Sequence, residues 1–282
     1  MLQITPSIKS IIERAIMEDL GHGDITTDSL IATEIQGMGT VLAKALGVIA
    51  GLDIALEVFR QVDPSVETRV FMVDGSEVRS GDVVAEVHGS IASILKGERV
   101  ALNFLQRLSG IATATSIYVS AVQGTKALVI DTRKTVPGLR ELEKYAVRVG
   151  GGRNHRYNLA DGILIKDNHI AALRAQKFSM QDIIRRAREN SPHTLRIEVE
   201  VETVEEAREA MEANADAILL DNMSPEQMSQ AVAIIQGRCL LEASGGVNLE
   251  TVRAVAETGV DFISIGALTH SVSALDISLD II

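Results

Sequence analysis

The second half of this chain alternates short apolar runs with stretches of helical length, and that rhythm restricts the possible folds more than any other feature. Residues 127–131, 161–165, 195–201, 216–220, 239–243 and 261–265 are strand-like, and segments such as 139–149 and 203–213 between them carry helical periodicity. A strand followed by a helix and another strand returns the chain in the same direction, so the repeated pattern predicts a parallel sheet. The stretch 106–266 falls short of the roughly 200 residues of a closed eight-unit barrel. It predicts about six strands in a truncated barrel or an open sheet.

Every predicted strand ends in polar residues. The first is followed by Asp131, Thr132, Arg133 and Lys134, the second by Lys166, Asp167, Asn168 and His169, and the third ends near Glu200. Asp221 and Asn222 follow the fourth, Ser244, Gly245 and Gly246 the fifth, and Gly266 the sixth. Parallel α/β folds place their sites at the carboxyl ends of strands. The first two strands supply cations, the next two carboxylates, and the last two glycine-rich turns whose free N–H groups suit phosphate.

Residues 131–169 form a basic island, including Gly150-Gly151-Gly152-Arg153-Asn154-His155-Arg156, in a chain of formal charge -11. Such an island marks a pocket for a strongly anionic small molecule. Glu200 and Asp221 are hard oxygen donors suited to Mg²⁺ that also bridges substrate phosphates. Several residues admit a blander role. Glu198 shares a strand face with Glu200, so one of them could merely solvate a strand end. His155 and His169 taken singly are core or capping residues. Lys166 stands where Schiff-base lysines occur in barrels, although neighbouring Arg133, Lys134 and Arg156 favour an anion clamp. One glycine suffices to stop a helix, so a run of three predicts close backbone packing or a mobile loop.

Residues 1–105 have a different texture. An amphipathic helix over 6–20 precedes short strands over 40–45, 48–50, 67–73 and 83–87, with one helix over 53–62, which predicts a helix-plus-antiparallel-sheet module. The pattern from Asp74 to Ala85 is similar to a lipoyl-type hairpin but lacks a lysine at the turn, and reads as a plain hairpin. A helix follows with Ala101, Leu105, Leu108 and Ala112 on its apolar face and Arg99 and Asn103 on its polar one. Glu98 suits the N-terminus of that helix, whereas Arg99 has the wrong sign for its dipole. Residues 267–282 are expected to pack back on the N-terminal module, and 106–266 to form the catalytic domain.

The lone Cys239 lies in an apolar run, is expected in the core and excludes a disulfide framework, so a reducing cytoplasm is expected. Charges at Lys9, Glu13, Arg14, Glu18 and Asp19 break any signal-peptide core, and no apolar run approaches the roughly 18 residues of a membrane span. An aromatic content of 3% without Trp, with acidic balance, argues against a nucleic-acid surface.

The residues also carry a resemblance. The run Asp131-Thr132-Arg133-Lys134-Thr135-Val136-Pro137-Gly138-Leu139-Arg140, then residues 150–156, then Leu164-Ile165-Lys166-Asp167-Asn168-His169, resembles the signature of the quinolinate phosphoribosyltransferases (nicotinate-nucleotide pyrophosphorylases, carboxylating). Glu98-Arg99, Leu220-Asp221-Asn222, Glu242-Ala243-Ser244-Gly245-Gly246 and Gly266-Ala267-Leu268 fit in order, so the likeness covers nearly the whole chain. The resemblance implies an incomplete α/β barrel with an N-terminal α+β open-faced sandwich. It implies a homodimer or higher oligomer in which Arg99 reaches the partner's active site. It also implies transfer from phosphoribosyl pyrophosphate to quinolinate with decarboxylation, in de novo NAD biosynthesis. Arg133, His155, Arg156 and Lys166 match positions around the quinolinate carboxylates, and Lys134 and Lys166 positions near the phosphates. Glu200 and Asp221 match the Mg²⁺ and ribose positions, and Ser244, Gly245, Gly246 and Gly266 the 5-phosphate cradle. Lys134, Lys166, Glu200 and Asp221 are the expected catalytic set. A different-substrate or non-catalytic paralogue of the molybdenum-transport-associated type is the alternative, and a Schiff-base aldolase using Lys166 a more distant one.

Overall fold

The computed structural model describes residues 2–282. In chain order its elements are α1 (Pro6–Leu20), α2 (Ile25–Leu30), β1 (Gln36–Ala43), β2 (Gly47–Val48), α3 (Leu52–Val62), β3 (Glu67–Val70), β4 (Glu77–Val78), β5 (Val83–Ser90) and α4 (Ile91–Ala121). There follow β6 (Leu128–Ile130), α5 (Arg140–Val149), β7 (Ile163–Ile165), α6 (Asp167–Arg174), α7 (Met180–Glu189), β8 (Ile197–Val201), α8 (Val204–Glu212) and β9 (Ala217–Asp221). The chain ends with α9 (Pro225–Ile235), β10 (Leu240–Ser244), α10 (Val252–Glu257), β11 (Phe262–Ser264), α11 (Ala267–His270) and β12 (Ile277–Ile281). They fall into two compact units, one of residues 1–116, 135–151 and 268–282, the other of 117–134 and 152–267. Among the described residues no helix is long and apolar enough to cross a membrane.

The first unit holds an antiparallel sheet of order β12-β1-β5-β3. Helix α1 starts where the Thr5 hydroxyl accepts the Ile8 N–H at 3.2 Å and ends at Gly21, whose positive φ of 52° suits glycine. Residues 74–85 do not form the expected hairpin: β4 pairs with β2, whereas β5 pairs with β1 and β3. The reason lies at Asp74. Its carboxylate accepts the N–H groups of Gly51 at 2.8 Å and Leu52 at 3.0 Å, satisfying donors that the start of α3 leaves open, and also accepts the Tyr145 hydroxyl at 2.6 Å. Burial, with this carboxylate beside it, holds the Tyr145 phenol above its ordinary pKa.

Helix α4 starts at Ile91, about two turns before Glu98, so the dipole argument does not apply to Glu98 or Arg99. Arg99 and Asn103 are exposed and Ala101, Leu105, Leu108 and Ala112 buried, as the spacing predicts. Further along, Glu143 on α5 is fully buried (0% exposed) and accepts from Arg107 Nε at 2.9 Å, Arg107 Nη2 at 2.5 Å and the Val136 N–H at 3.1 Å. Arg107 Nη2 also donates to the Thr269 carbonyl at 3.0 Å. One carboxylate thus joins α4, the segment before α5 and the segment after β11. The glycine run after α5 is a packing device: a Cβ on Gly150 would stand 2.4 Å from the Ala112 carbonyl oxygen, and Gly151 turns the chain with φ of 88°.

The second unit is a parallel sheet of order β6-β11-β10-β9-β8-β7, open between β6 and β7. All six predicted strands are present. Their side chains divide by parity. Ile197, Val199, Val201, Ile218, Leu220, Leu241, Ala243 and Ile263 are buried on one face, where α7, α8 and α10 pack on strands β8, β9 and β11. The opposite face carries Lys166, Glu198, Glu200, Leu219, Asp221, Glu242, Ser244 and Ser264. That face is rolled inward. The segment at Arg153 pairs with β6, so in a flat sheet it would lie about 24 Å from β8 at ~4.8 Å per strand. Yet His155 Nε2 stands 3.2 Å from Glu198 Oε2 on β8. Only a sheet curled toward a barrel allows this, so the fold is an incomplete barrel accompanied by an N-terminal α+β unit. Cys239 corrects the expectation of a core residue: it is half-buried before β10, because the core side chains begin inside the strand.

Replacing Glu143 by Ala leaves half-buried Arg107 without its carboxylate partner and the Val136 N–H without its acceptor. We expect urea denaturation to show a loss on the order of 3 kcal/mol, with Glu143→Gln losing less because the amide oxygen still accepts.

Candidate active site

The carboxyl ends of the rolled strands surround a cavity of ≈ 590 Å³. Chain direction decides its composition: each parallel strand delivers its last inward residue and the following loop to the same rim. From β6 come Thr132, Arg133 and Lys134, from β7 Lys166, from β8 Glu200, from β9 Asp221 and Asn222, and from β10 Ser244, Gly245 and Gly246. His155 and Arg156 arrive on the segment beside β6. Ten predicted site residues therefore meet. Gly266, after β11, is not among the lining residues, and Arg99 belongs to the other unit, exposed, with Glu98 at 4.0 Å.

Lys166 Nζ lies 3.3 Å from Glu200 Oε2, with the lysine side chain 47% exposed. Its backbone N–H donates to His169 Nδ1 at 2.9 Å, so His169 caps the start of α6. The Asp221 carboxylate accepts from Asn222 Nδ2 at 2.8 Å, and the Asn222 N–H donates to the Ser244 carbonyl at 2.9 Å. This ties the β9 and β10 exits together. Gly245 is obligatory there: its φ is 91°, and a Cβ would stand 2.1 Å from Asn222 Oδ1. Gly246, with φ of 63°, continues the turn.

Beneath this rim His155 meets Glu198 and Glu242, two carboxyls that were not among the predicted site residues. His155 Nδ1 accepts the Arg156 N–H at 2.7 Å, which assigns the ring proton to Nε2. Nε2 stands 3.2 Å from Glu198 Oε2 and 3.6 Å from Glu242 Oε2. Ligand-capable atoms of His155, Glu198 and Glu242 lie within 4.8 Å of one another, the spacing of a metal site. Neither Glu198 nor Glu200 solvates a strand end, since both side chains are largely buried on the inner face. Glu242 is only 4% exposed; burial first, and the charge of Glu198 second, raise its pKa well above the carboxylate range. Two carboxyls this close in a dry site do not both ionise, so we assign the proton to Glu242. Arg156 donates from Nη1 to the Gly162 carbonyl at 3.1 Å, and its pKa is lowered by burial and by Arg133, against the pull of Glu198. Arg156 Nε and Glu242 Oε1 are buried without a hydrogen-bond partner among the described residues. Parity was the available signal: Glu198 lies two residues before Glu200 and Glu242 two before Ser244, on the same strand faces.

The comparisons with known proteins agree with this geometry. Residues 111–280 match the quinolinate phosphoribosyl transferase C-terminal domain, and residues 24–109 the N-terminal domain of the same family. The chain belongs to the quinolinate phosphoribosyltransferase family. It is 45% identical over 274 residues to the probable nicotinate-nucleotide pyrophosphorylase (carboxylating) of Bacillus subtilis, covering 97% of this chain and 93% of that one. It is 41% identical over 293 residues to quinolinate phosphoribosyltransferase (decarboxylating) 2, mitochondrial, of Nicotiana glauca, covering 98% and 83%. The solved structure of NadC from Streptococcus pyogenes superimposes with a TM-score of 0.94 at 44% identity, covering 100% of each chain. In this member of the family the cavity is built from cations on one side and carboxylates on the other.

The folded chain keeps a proton on Glu242 that the unfolded chain releases near its ordinary pKa of 4.5. Stability therefore declines as pH rises from that value toward the raised folded pKa. Glu242→Gln removes the titration. We expect its denaturation midpoint to gain on wild type between about pH 5 and about pH 8, measured in urea at both values.

Proposed function

We propose that this protein transfers the phosphoribosyl group of phosphoribosyl pyrophosphate to quinolinate with loss of carbon dioxide, giving nicotinate mononucleotide and pyrophosphate. One observation carries the proposal: in a member of this family, Arg133, Lys134, Arg156 and Lys166 share a cavity with Glu200, Asp221 and the turn from Ser244 to Gly246. Arg133 and Arg156, which line the cavity with His155, suit a pyridine dicarboxylate, because guanidinium groups bind carboxylates in bidentate fashion. Half-buried Arg156 has its Nε still available for such a bond. The N–H groups of the Ser244–Gly246 turn suit the 5-phosphate.

In the reaction the pyridine nitrogen donates its lone pair to ribose C1 as the bond from C1 to the pyrophosphate oxygen breaks. Lys134 and Lys166 face the departing oxygens, and Glu200 and Asp221 balance the positive charge that spreads over the sugar. The ring then carries a positive nitrogen, which stabilises the electron pair left on C2 as the C2–carboxylate bond breaks and carbon dioxide leaves, and that pair on C2 takes a proton. The donor set fits Mg²⁺: Glu200 and Asp221 would hold it with hard oxygens from adjacent strands at the rim. The metal would supply charge neutralisation of pyrophosphate. The ion pair of Lys166 with Glu200 supports a clamp over a Schiff base. The proposal extends to a cytoplasmic homodimer or larger assembly without nucleic-acid partners, in which exposed Arg99 completes the partner's site.

Pyrophosphate and carbon dioxide should both appear when the protein is mixed with quinolinate, phosphoribosyl pyrophosphate and Mg²⁺. Absence of both rejects the assignment. Lys166→Ala and Glu200→Gln should each lower kcat on the order of 100-fold or more. Mixing inactive Arg99→Ala and Lys166→Ala proteins under subunit exchange should restore part of the activity, and no recovery would rule out the shared site.

A further inference from the structure

His155 and Arg156 are the two cavity residues that neither lie in a strand of the sheet nor follow directly on one. They lie where the barrel fails to close, on a segment whose backbone pairs with the outer edge of β6. The backbone ladder holding this segment is short: Arg153 N–H donates to the Val129 carbonyl at 2.9 Å and Asp131 N–H to the Arg153 carbonyl at 3.1 Å. Beyond that point the Asp131 side chain takes over from the backbone. Its Oδ1 accepts the His155 N–H at 2.8 Å and its Oδ2 accepts Asn154 Nδ2 at 2.6 Å. Asp131 is fully buried (0% exposed), so these bonds form in a medium where a carboxylate acceptor is strong and its loss is felt in full.

We infer that Asp131 is a positioning residue: its carboxylate, bonded to Asn154 Nδ2 and the His155 N–H, replaces the missing strand at the open edge and aims His155 and Arg156 into the cavity. The inference rests on the reading of those two side chains as quinolinate ligands. It goes beyond that reading in giving Asp131 and Asn154 a role without substrate contact. The effect should fall on quinolinate rather than on phosphoribosyl pyrophosphate, because Asp221, Ser244 and the glycine turn are held by β9 and β10, which have neighbours on both sides.

The test is substitution with rescue. Asp131→Asn keeps an oxygen for the His155 N–H but sets an amide NH₂ against the Asn154 NH₂. Its KM for quinolinate should rise about tenfold or more, the loss of one charge-assisted hydrogen bond, with the KM for phosphoribosyl pyrophosphate changed less than about twofold. The double variant Asp131→Asn/Asn154→Asp restores a donor facing an acceptor and should recover most of the quinolinate KM. Asn154→Ala, which removes one hydrogen bond and leaves the buried carboxylate, should show the same selective rise and serves if Asp131→Asn does not fold. An unchanged quinolinate KM in folded Asp131→Asn or Asn154→Ala overturns the inference. So does an equal rise for both substrates that the double variant fails to reverse. Wild-type turnover in the same assay separates the two levels: an inactive wild type rejects the proposed function, whereas an active wild type with insensitive variants rejects only the role of Asp131.

Discussion

A parallel sheet that is rolled but unclosed is the constraint on which the site depends. In a closed eight-stranded barrel the inward side chains fill the interior as packed apolar layers. Here six strands curl far enough to bring His155 against Glu198, and the enclosed face carries Glu198, Glu200 and Glu242 in place of a packed core. The apolar side chains of the same strands are buried on the other face, so the unit is stabilised outside the curl and leaves its inner face to chemistry.

Such an inner face is electrostatically expensive, and its composition shows how the cost is limited. Burying an isolated carboxylate in a dry site is disfavoured by several kcal/mol. Glu242 meets this by holding its proton, Glu198 by accepting the Nε2–H of His155 at 3.2 Å, and Glu200 by pairing with Lys166. Arg133 and Arg156 line the same cavity and add positive charge to a face otherwise rich in carboxyls. Half-buried Arg156 and buried Glu242 each retain a buried polar atom with no partner among the described residues, which is the mark of a site prepared for a ligand rather than of a finished core.

Much of this was legible in the residues. Alternation of apolar runs with helical stretches fixes parallel strands, and parallel strands fix a common rim, so Arg133, Lys134, Lys166, Glu200, Asp221 and Ser244 could be gathered without coordinates. Other features were not legible. Residues 74–85 read as a hairpin because their turn signals are local, whereas the pairing of β4 with β2 is set by Asp74 reaching across to α3. Helix α4 starts at Ile91 directly after β5 ends at Ser90, so no intervening loop separates strand from helix in the residues.

The sequence by itself determined the strand order of appearance, the polarity of the strand ends and the glycines that the turns require, since these follow from side-chain chemistry and backbone geometry within a few residues. Only the tertiary structure decided which carboxyls are buried together. Glu198 and Glu242 lie far apart in the chain and on strands separated by β9, and it is the curl of the sheet that brings both to His155. The same curl leaves an open edge that Asp131 must complete. Burial and curvature are properties of the whole sheet, and no local run of residues encodes them.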